Sequence, residues 1–422
     1  MKSKLTKVLL IPFLVAGLVS LSLTGTQAQT LDERVKRLEK KMQDDDLASD
    51  PYVSEFGGRI MADWSFNTSQ SDNYVSQLGD EAEDGFEFRR LRLYTEGGVA
   101  KDIEYKLQLD FADELAGNEV DIKDAYISVD KGLVGIPLKI GHFKEPFSLN
   151  ELTSSKYITF MSRSMLSDGF TPEYNPGIQT AYHTPDNKFN LTLGMFNPQS
   201  GLQQPATSGS WNLSGRITSP IVYSNSGKNL VHLGLGFSQR SEQSGTYSSD
   251  LEPEVHKGDP EYLDITVPSV TSSTVFGLEA ATVQGPLSIQ AEYAQNDLSR
   301  SAGKEPTLSS QYLMASYLLT GEHRPYDKAD GDFGRIDVNN SVNNGGSGAW
   351  ELAARWSSTD YSDAQGPTTG DVDLASKANV ITLGTNWYPT GHSKWMVNYV
   401  TANQDAKDVD AQWLTTRFQV DF

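Results

Sequence analysis

The chemistry available to this chain lies mostly in its cations. Arg59, Arg90, Arg92, Lys106, Lys139, Arg216, Arg355 and Arg417 occupy polar positions in segments whose alternate positions are apolar, and Asp63, Asp110 and Glu351 share that face. A planar guanidinium matches the geometry of phosphate or carboxylate oxygens. Set on the wall of a low-dielectric passage, such groups focus positive potential and draw in anions. The competing reading is a wall of mixed charge with weak selectivity. Arg89 and Arg90 cannot both face one side of a regular strand. Either Arg89 snorkels at a rim, or a bulge turns both inward. Asp124 joins the cations only if Ala125, Ile127 and Val129 point the other way. Catalysis is not expected. His142, His183, His232, His256, His323 and His392 are scattered without metal-ligand spacing, and Asp124 with Ser154 or Ser155 has no histidine placed to complete a triad. No cofactor or metal is implied, because isolated aspartates in loops are a poor calcium signal.

The elements that must position these groups are strands. In Ile103 to Phe111 the odd positions are Ile, Tyr, Leu, Leu and Phe, and the even ones Glu, Lys, Gln and Asp. Nine alternating residues are about what a tilted strand needs to cross a bilayer. Similar runs recur from 54–66 to 410–422, about sixteen in all, the even number expected of a closed bacterial barrel. With the N-terminus periplasmic, the turns on that side are mostly short and rich in Gly, Pro and Asn, while 67–85, 144–175, 198–210, 240–272, 297–309 and 359–376 form long outer connections. Gly321 to Gly348 is the exception, long yet on the inner side. Ser241 to Ser272 holds seven acidic residues against one lysine, which places much of the negative charge on outer loops.

One stretch breaks the alternation without becoming polar. Gly141 to Ser164 reads GHFKEPFSLNELTSSKYITFMSRS, and its Phe143, Phe147, Leu149, Leu152, Tyr157, Ile158, Phe160 and Met161 all want burial. In a chain of strands and turns, such a segment packs against something. In a closed barrel it folds into the lumen and narrows it. A lumen filled completely by it would instead mark a structural or adhesive barrel.

The remaining features concern export and assembly. Residues 1–28 combine a basic start, an apolar core from Val8 to Val19 and the small-residue site Thr26-Gln27-Ala28, as a cleaved secretory signal does. Residues 29–43 place Leu31, Val35, Leu38 and Met42 at coiled-coil spacing, which makes sense when copies are held together as in a trimer. Residues 44–53 form an acidic linker, and the barrel occupies 54–422. The chain has no cysteine and a net charge of −20, which excludes disulfides and argues against nucleic acid as a partner. A mean hydropathy of −0.44 fits a membrane barrel, since only alternate residues meet lipid.

FEFRRLRLYTEG at Phe86 to Gly97, VDIKDAYIS at Val120 to Ser128, Gly141 to Ser164, the Asn175-Pro176-Gly177 turn, Thr320-Gly321-Glu322 and a last strand ending on Phe422 resemble the phosphate-selective porin O and P family. The resemblance spans essentially the whole mature chain. It implies an all-β outer-membrane barrel of about sixteen strands, a homotrimer among lipid and lipopolysaccharide, that passes small anions by passive diffusion. It also implies a constriction at which Arg89, Arg90, Asp124, Ser154 and Ser155 hold phosphate. The family's central lysine falls on Glu151, whose carboxylate is expected to repel phosphate, so that Glu151→Lys raises phosphate affinity. Lys144 and Lys156 are the available substitutes. The alternative is a general or weakly cation-selective porin that has lost the phosphate site.

Overall fold

The structure, a computed structural model, describes residues 54–78, 82, 84–112, 120–132, 135–197, 211–242, 244–256, 262–364, 377–405 and 408–422. The expected signal peptide, coiled coil and linker lie outside these residues. From Ser54 to Phe422 the chain forms one unit.

Its wall is a closed antiparallel barrel of sixteen strands. In chain order these are β1 (Ser54–Gln70), β2 (Gly85–Ala100), β3 (Ile103–Asp110), β4 (Asp121–Val129), β5 (Leu138–Lys144), β6 (Tyr174–His183), β7 (Asn190–Phe196), β8 (Asn212–Ser224), β9 (Asn229–Ser241), β12 (Val270–Gln284), β13 (Leu287–Arg300), β14 (Thr307–Leu318), β17 (Ala349–Asp360), β18 (Lys377–Thr390), β19 (Ser393–Gln404) and β20 (Val409–Asp421). Closure comes from β1 on β20, with Arg59 opposite Asp421 and Gln70 opposite Ala411. The terminal Phe422 is fixed there by paired backbone bonds to Gly58.

Period two decides which side chains meet lipid. Along β19 Trp395, Val397 and Tyr399 are exposed outward, while Lys394, Met396 and Asn398 are buried inward. The same alternation puts Leu107 out and Gln108 and Asp110 in on β3. Trp64, Phe66, Phe86 and Phe88 near one end, and Trp350, Trp395, Phe418 and Phe422 near the other, give the outer face the aromatic bands of a membrane barrel.

The lumen is filled from both ends, which the sequence conveyed only in part. The inward segment runs from Glu145 past Ser164, since Met165, Leu166 and Phe170 of the helix Met165–Phe170 are buried too. Hairpin β10 (Thr246–Leu251) with β11 (Leu263–Pro268) lies in the connection from β9 to β12. Its Tyr247, Leu251, Tyr262, Leu263, Ile265 and Val267 join Phe147, Phe160 and Phe170 in the largest apolar cluster. The acidic stretch, expected to place much of the negative charge on outer loops, also has an apolar face in the core, and its Glu254 pairs with Arg355 of the barrel wall. From the opposite end, β15 (Tyr326–Asp327) and β16 (Asp332–Phe333) place Tyr326 and Phe333 against Leu149, Leu230 and Val283.

Barrel-wall side chains satisfy the backbone of the inward segment, the condition for burying irregular chain. Glu292 accepts from the amides of Leu149 (3.0 Å) and Asn150 (2.7 Å), and Asn398 from that of Met161 (2.9 Å). Asn386 donates to the Thr159 carbonyl (2.8 Å), Lys394 to that of Ile158 (2.7 Å) and Gln419 to that of Lys156 (3.0 Å). Glycines thin the wall where rings dock. A Cβ on Gly236 or Gly277 would stand 2.9 or 2.8 Å from the Phe147 ring, and one on Gly384 would stand 3.1 Å from Phe160.

Candidate functional site: a cavity against the inward segment

On the β1–β8 side the lumen keeps a cavity of about 520 Å3. Arg59, Asp124, Tyr126, Lys139, Ser154, Ser155, Arg163, Tyr174, Asp330 and Asp332 are among the residues around it. The inward segment thus does not fill the barrel.

Arg59 is the centre of the arrangement. Carried on β1, it is 5% exposed and donates from Nη1 to Ser155 Oγ at 2.7 Å, with Ser154 Oγ at 3.4 Å. Among the described residues it has no carboxylate in ion-pair range, and its buried Nε has no hydrogen-bond partner. The serines sit on the extended turn after Leu149–Leu152, which ends at Thr153 as its amide and hydroxyl return to the Leu149 carbonyl. Sequence reasoning placed Arg59 on the wall and both serines at the constriction; the fold brings the three together.

Most other lumen arginines are already neutralised. Arg92 pairs with Asp110 at 2.6 Å, Arg216 with Glu279 through two bonds of 2.9 and 2.7 Å, and Arg417 with Asp63 through two of 2.6 Å. Arg355 is held by Glu254, and Lys106 by Glu96 at 2.6 Å. The two-pronged pairs of Arg216 and Arg417 fix geometry, and in every one of these pairs the net charge is zero, so that a solute meets a dipole in place of a full charge.

Arg89 and Arg90 illustrate the bulge. The β1–β2 register runs Met61 to Arg90 and Ala62 to Phe88, skipping Arg89. Phe88 and Leu93 face outward, Arg90 and Arg92 are buried inside, and Arg89 lies in the field of Asp168 and Glu252 of the inward-folded connections. Arg90 Nη1 reaches only Met61 Sδ, at 4.0 Å, and its Nε has no partner among the described residues. A second bulge, between Gln108 and Leu109, skips Lys123 and aligns Gln108 with Asp124. With Ile127 exposed outward, Asp124 lines the cavity, resolving the ambiguity of that strand.

Glu151 is enclosed rather than presented. It is 3% exposed, bonded by Lys144 and at 3.2 Å from Arg163 Nε. Burial pushes its carboxyl up, but Arg163 and Lys144 outweigh that and hold it below the usual carboxylate range. The three groups together carry at most one positive charge. In the structure the carboxylate does not stand alone: it offsets one of two adjacent cations. Arg163 also closes the segment on itself, donating to the carbonyls of Asn150 (3.0 Å), Glu151 (3.1 Å) and Thr153 (2.9 Å). Sequence reasoning missed Arg163, since no local spacing pairs a residue with a carboxylate twelve positions earlier. Lys156, beside Tyr94 and Tyr157, has its ammonium pushed down to about 8 by burial and by the charge of Arg59.

Among the described residues His142 makes no hydrogen bond to a serine. Its Nδ1 meets the Lys123 carbonyl at 2.8 Å.

A model of the family described as phosphate-selective porin O and P matches residues 55–422. The chain belongs to this family. It is 26% identical over 401 residues to Porin O of Pseudomonas aeruginosa, covering 87% of this chain and 88% of that one. It is 28% identical over 326 residues to an uncharacterised protein of Caulobacter vibrioides, covering 75% of this chain but only 62% of that longer one. Among solved structures, the barrel resembles the anion-selective porin of Comamonas acidovorans, with TM-score 0.56, 13% identity and coverage of 88% of this chain and 99% of that one. It also resembles OprB of Pseudomonas putida, with TM-score 0.59, 11% identity and coverage of 91% and 97%. At such identities these neighbours speak to the fold. The family and the barrel together make this chain a porin of the bacterial outer membrane, a channel protein.

Proposed function

We propose that this porin passes small anions, phosphate-type oxyanions among them, by passive diffusion through the cavity beside the inward segment. The observation that carries the reading is Arg59: a buried guanidinium with no carboxylate in ion-pair range among the described residues, held at Nη1 by two serine hydroxyls, the three residues all bordering the cavity. Serine hydroxyls donate or accept as required, so Arg59, Ser154 and Ser155 together offer an oxyanion one charge and several hydrogen bonds. Arg90, Lys144 and Arg163 supply further positive potential, with Glu151 offsetting one of those charges, and Arg89 a step toward the outer mouth. Export by a signal cleaved near Ala28, assembly as a homotrimer through the 29–43 coiled coil, and contact with lipopolysaccharide belong to the same proposal. One solved neighbour, OmpT of Vibrio cholerae, is described in a trimer form.

A second reading has its own support. Asp124, Asp130, Asp330 and Asp332 border the same cavity, and a general or weakly cation-selective porin would follow if they outweighed Arg59. Reversal potential in a planar bilayer under a salt gradient, followed by phosphate titration of the current, decides between them. Anion selectivity with saturable block by phosphate is the expected result. Cation preference without block would refute the oxyanion reading.

A further inference from the structure

The cavity is much larger than a bare tetrahedral oxyanion requires. About 520 Å3 falls within the range of roughly 300–1,000 Å3 typical of pockets for organic ligands. Its charges are also divided between walls. Arg59 stands on β1 with Ser154 and Ser155. The turn from Ala329 to Asp332 is fastened to β8, since Arg216 donates from Nη1 to the Asp330 carbonyl at 3.1 Å and from Nη2 to that of Gly331 at 2.8 Å. In a ring of sixteen strands β8 is seven places from β1, so the turn borders the cavity from the wall opposite Arg59.

The Asp330 and Asp332 carboxylates enter no ion pair among the described residues. Arg216 beside them is engaged by Glu279 through both prongs. Lys139 lies in the field of Asp330 and Asp124, but its ammonium rests on the Tyr126 ring, 4.4 Å from the centroid. Asp327, the remaining acid of this turn, is turned back to accept from the amides of Ala329 and Asp330 at 2.7 and 3.3 Å. Tyr126, Tyr174, Phe143 and Pro146 also line the cavity and offer apolar surface to a short carbon chain.

We propose that the cavity favours oxyanions that also carry an ammonium group, such as phosphorylated amino alcohols, with the phosphoryl group at Arg59, Ser154 and Ser155 and the ammonium at Asp330 and Asp332. The inference rests on the reading of Arg59 as the oxyanion site. A solute with both charges satisfies both walls at once, and a simple phosphomonoester meets only one.

The test compares phosphoethanolamine with ethyl phosphate, which differ in the amino group, as blockers of chloride current through the full-length porin in planar bilayers at about pH 8, where Asp332, pushed up to about 7 by burial and by Asp330, is mostly ionised. Phosphoethanolamine is expected to half-block at a concentration lower by about fivefold, the size of a partly solvated ion pair. In Asp330→Asn/Asp332→Asn, where no side-chain hydrogen bond among the described residues is lost, the gap is expected to close to within about twofold while ethyl phosphate blocks as well or better. Equal block in the wild type overturns the proposal without any variant, and so does a gap that survives the double substitution. If both compounds block equally, only this inference falls. If neither blocks, the oxyanion reading of Arg59 falls with it.

Discussion

Replacing Arg59 by methionine removes charge and fork while keeping much of the stem volume. The structure makes this an unusually clean perturbation. Arg59 neutralises no carboxylate among the described residues, so its loss strands no buried charge and leaves only the Ser154 and Ser155 hydroxyls to rehydrate. A hydrogen bond to a charged group is worth about 1.5–3 kcal/mol net, so losing one to bound phosphate should weaken binding by about 2 kcal/mol, or roughly thirtyfold. The half-blocking concentration of phosphate in a planar-bilayer chloride current should rise by that factor. Arg59→Lys, which keeps the charge without the fork, should fall between. Lys188→Met, in the exposed turn from Thr184 to Phe189, controls for general charge and should change nothing. Phosphate block in Arg59→Met within about twofold of wild type would refute the assignment, because a charge-assisted hydrogen bond to a bound anion contributes more than that.

The other lumen arginines should behave differently. Arg355→Met leaves Glu254 buried without its partner and should cost about 3–5 kcal/mol, read as a lower unfolding temperature or loss of inserted protein, with selectivity of the surviving channels little changed. Glu151→Gln frees Lys144 and Arg163 from their shared carboxylate, so phosphate block should strengthen by about tenfold, one charge at an effective dielectric near 20 and partly screened, and weaker block would contradict it. Lysine at that position would be a third cation in a buried site and should displace the segment instead. Lys156, with its ammonium held near 8, is mostly charged at pH 7 and mostly neutral at pH 9, so anion selectivity measured by reversal potential should decline across that interval and stay flat in Lys156→Met. Gly277→Val presses a side chain into the space of the Phe147 ring and should loosen the inward segment, seen as larger and noisier single-channel conductance.

The sequence carried the barrel almost completely, because a wall with lipid on one face and polar lumen on the other imposes period two on every strand. It carried the inward segment for the same reason in reverse: apolar residues without alternation need a core. The segment's end fell too early at Ser164, since Ser162, Arg163 and Ser164 have the polarity of an exit to solvent. Arg163 instead spends its donors on backbone carbonyls of the segment, and the helix Met165–Phe170 continues the core beyond it. The hairpin of β10 and β11 was legible in principle. Tyr247, Ser249 and Leu251 alternate inward, as do Leu263, Ile265 and Val267, but the acidic residues between them have the composition of a surface loop. Pairings were not legible at all. Nothing local joins Arg355 to Glu254 or Arg59 to Ser155, since these contacts exist only after the barrel has closed and its connections have turned inward.

That distinction bears on what an arginine-rich lumen means. Counting inward cations suggests a strongly positive passage, yet Arg92, Arg216, Arg355 and Arg417 are each matched by a carboxylate within the wall or on an inward-folded connection. Two of those partners have a structural consequence: the Glu254 carboxylate fixes the β10–β11 connection to β17, and Arg216, once held by Glu279, also grips the Asp330–Gly331 backbone. These arginines hold the inserts that shape the cavity, and a solute meets little of their charge. Arg59 and Arg90 differ in having no carboxylate within ion-pair distance among the described residues. If selectivity arose from the summed charge of the wall, Arg59→Met and Lys106→Met would shift the reversal potential alike. If it arises from unmatched charge beside the serines, Arg59→Met should shift it strongly, whereas Lys106→Met, which removes a cation already paired with Glu96, should shift it less. Comparing the two substitutions under one salt gradient separates these accounts.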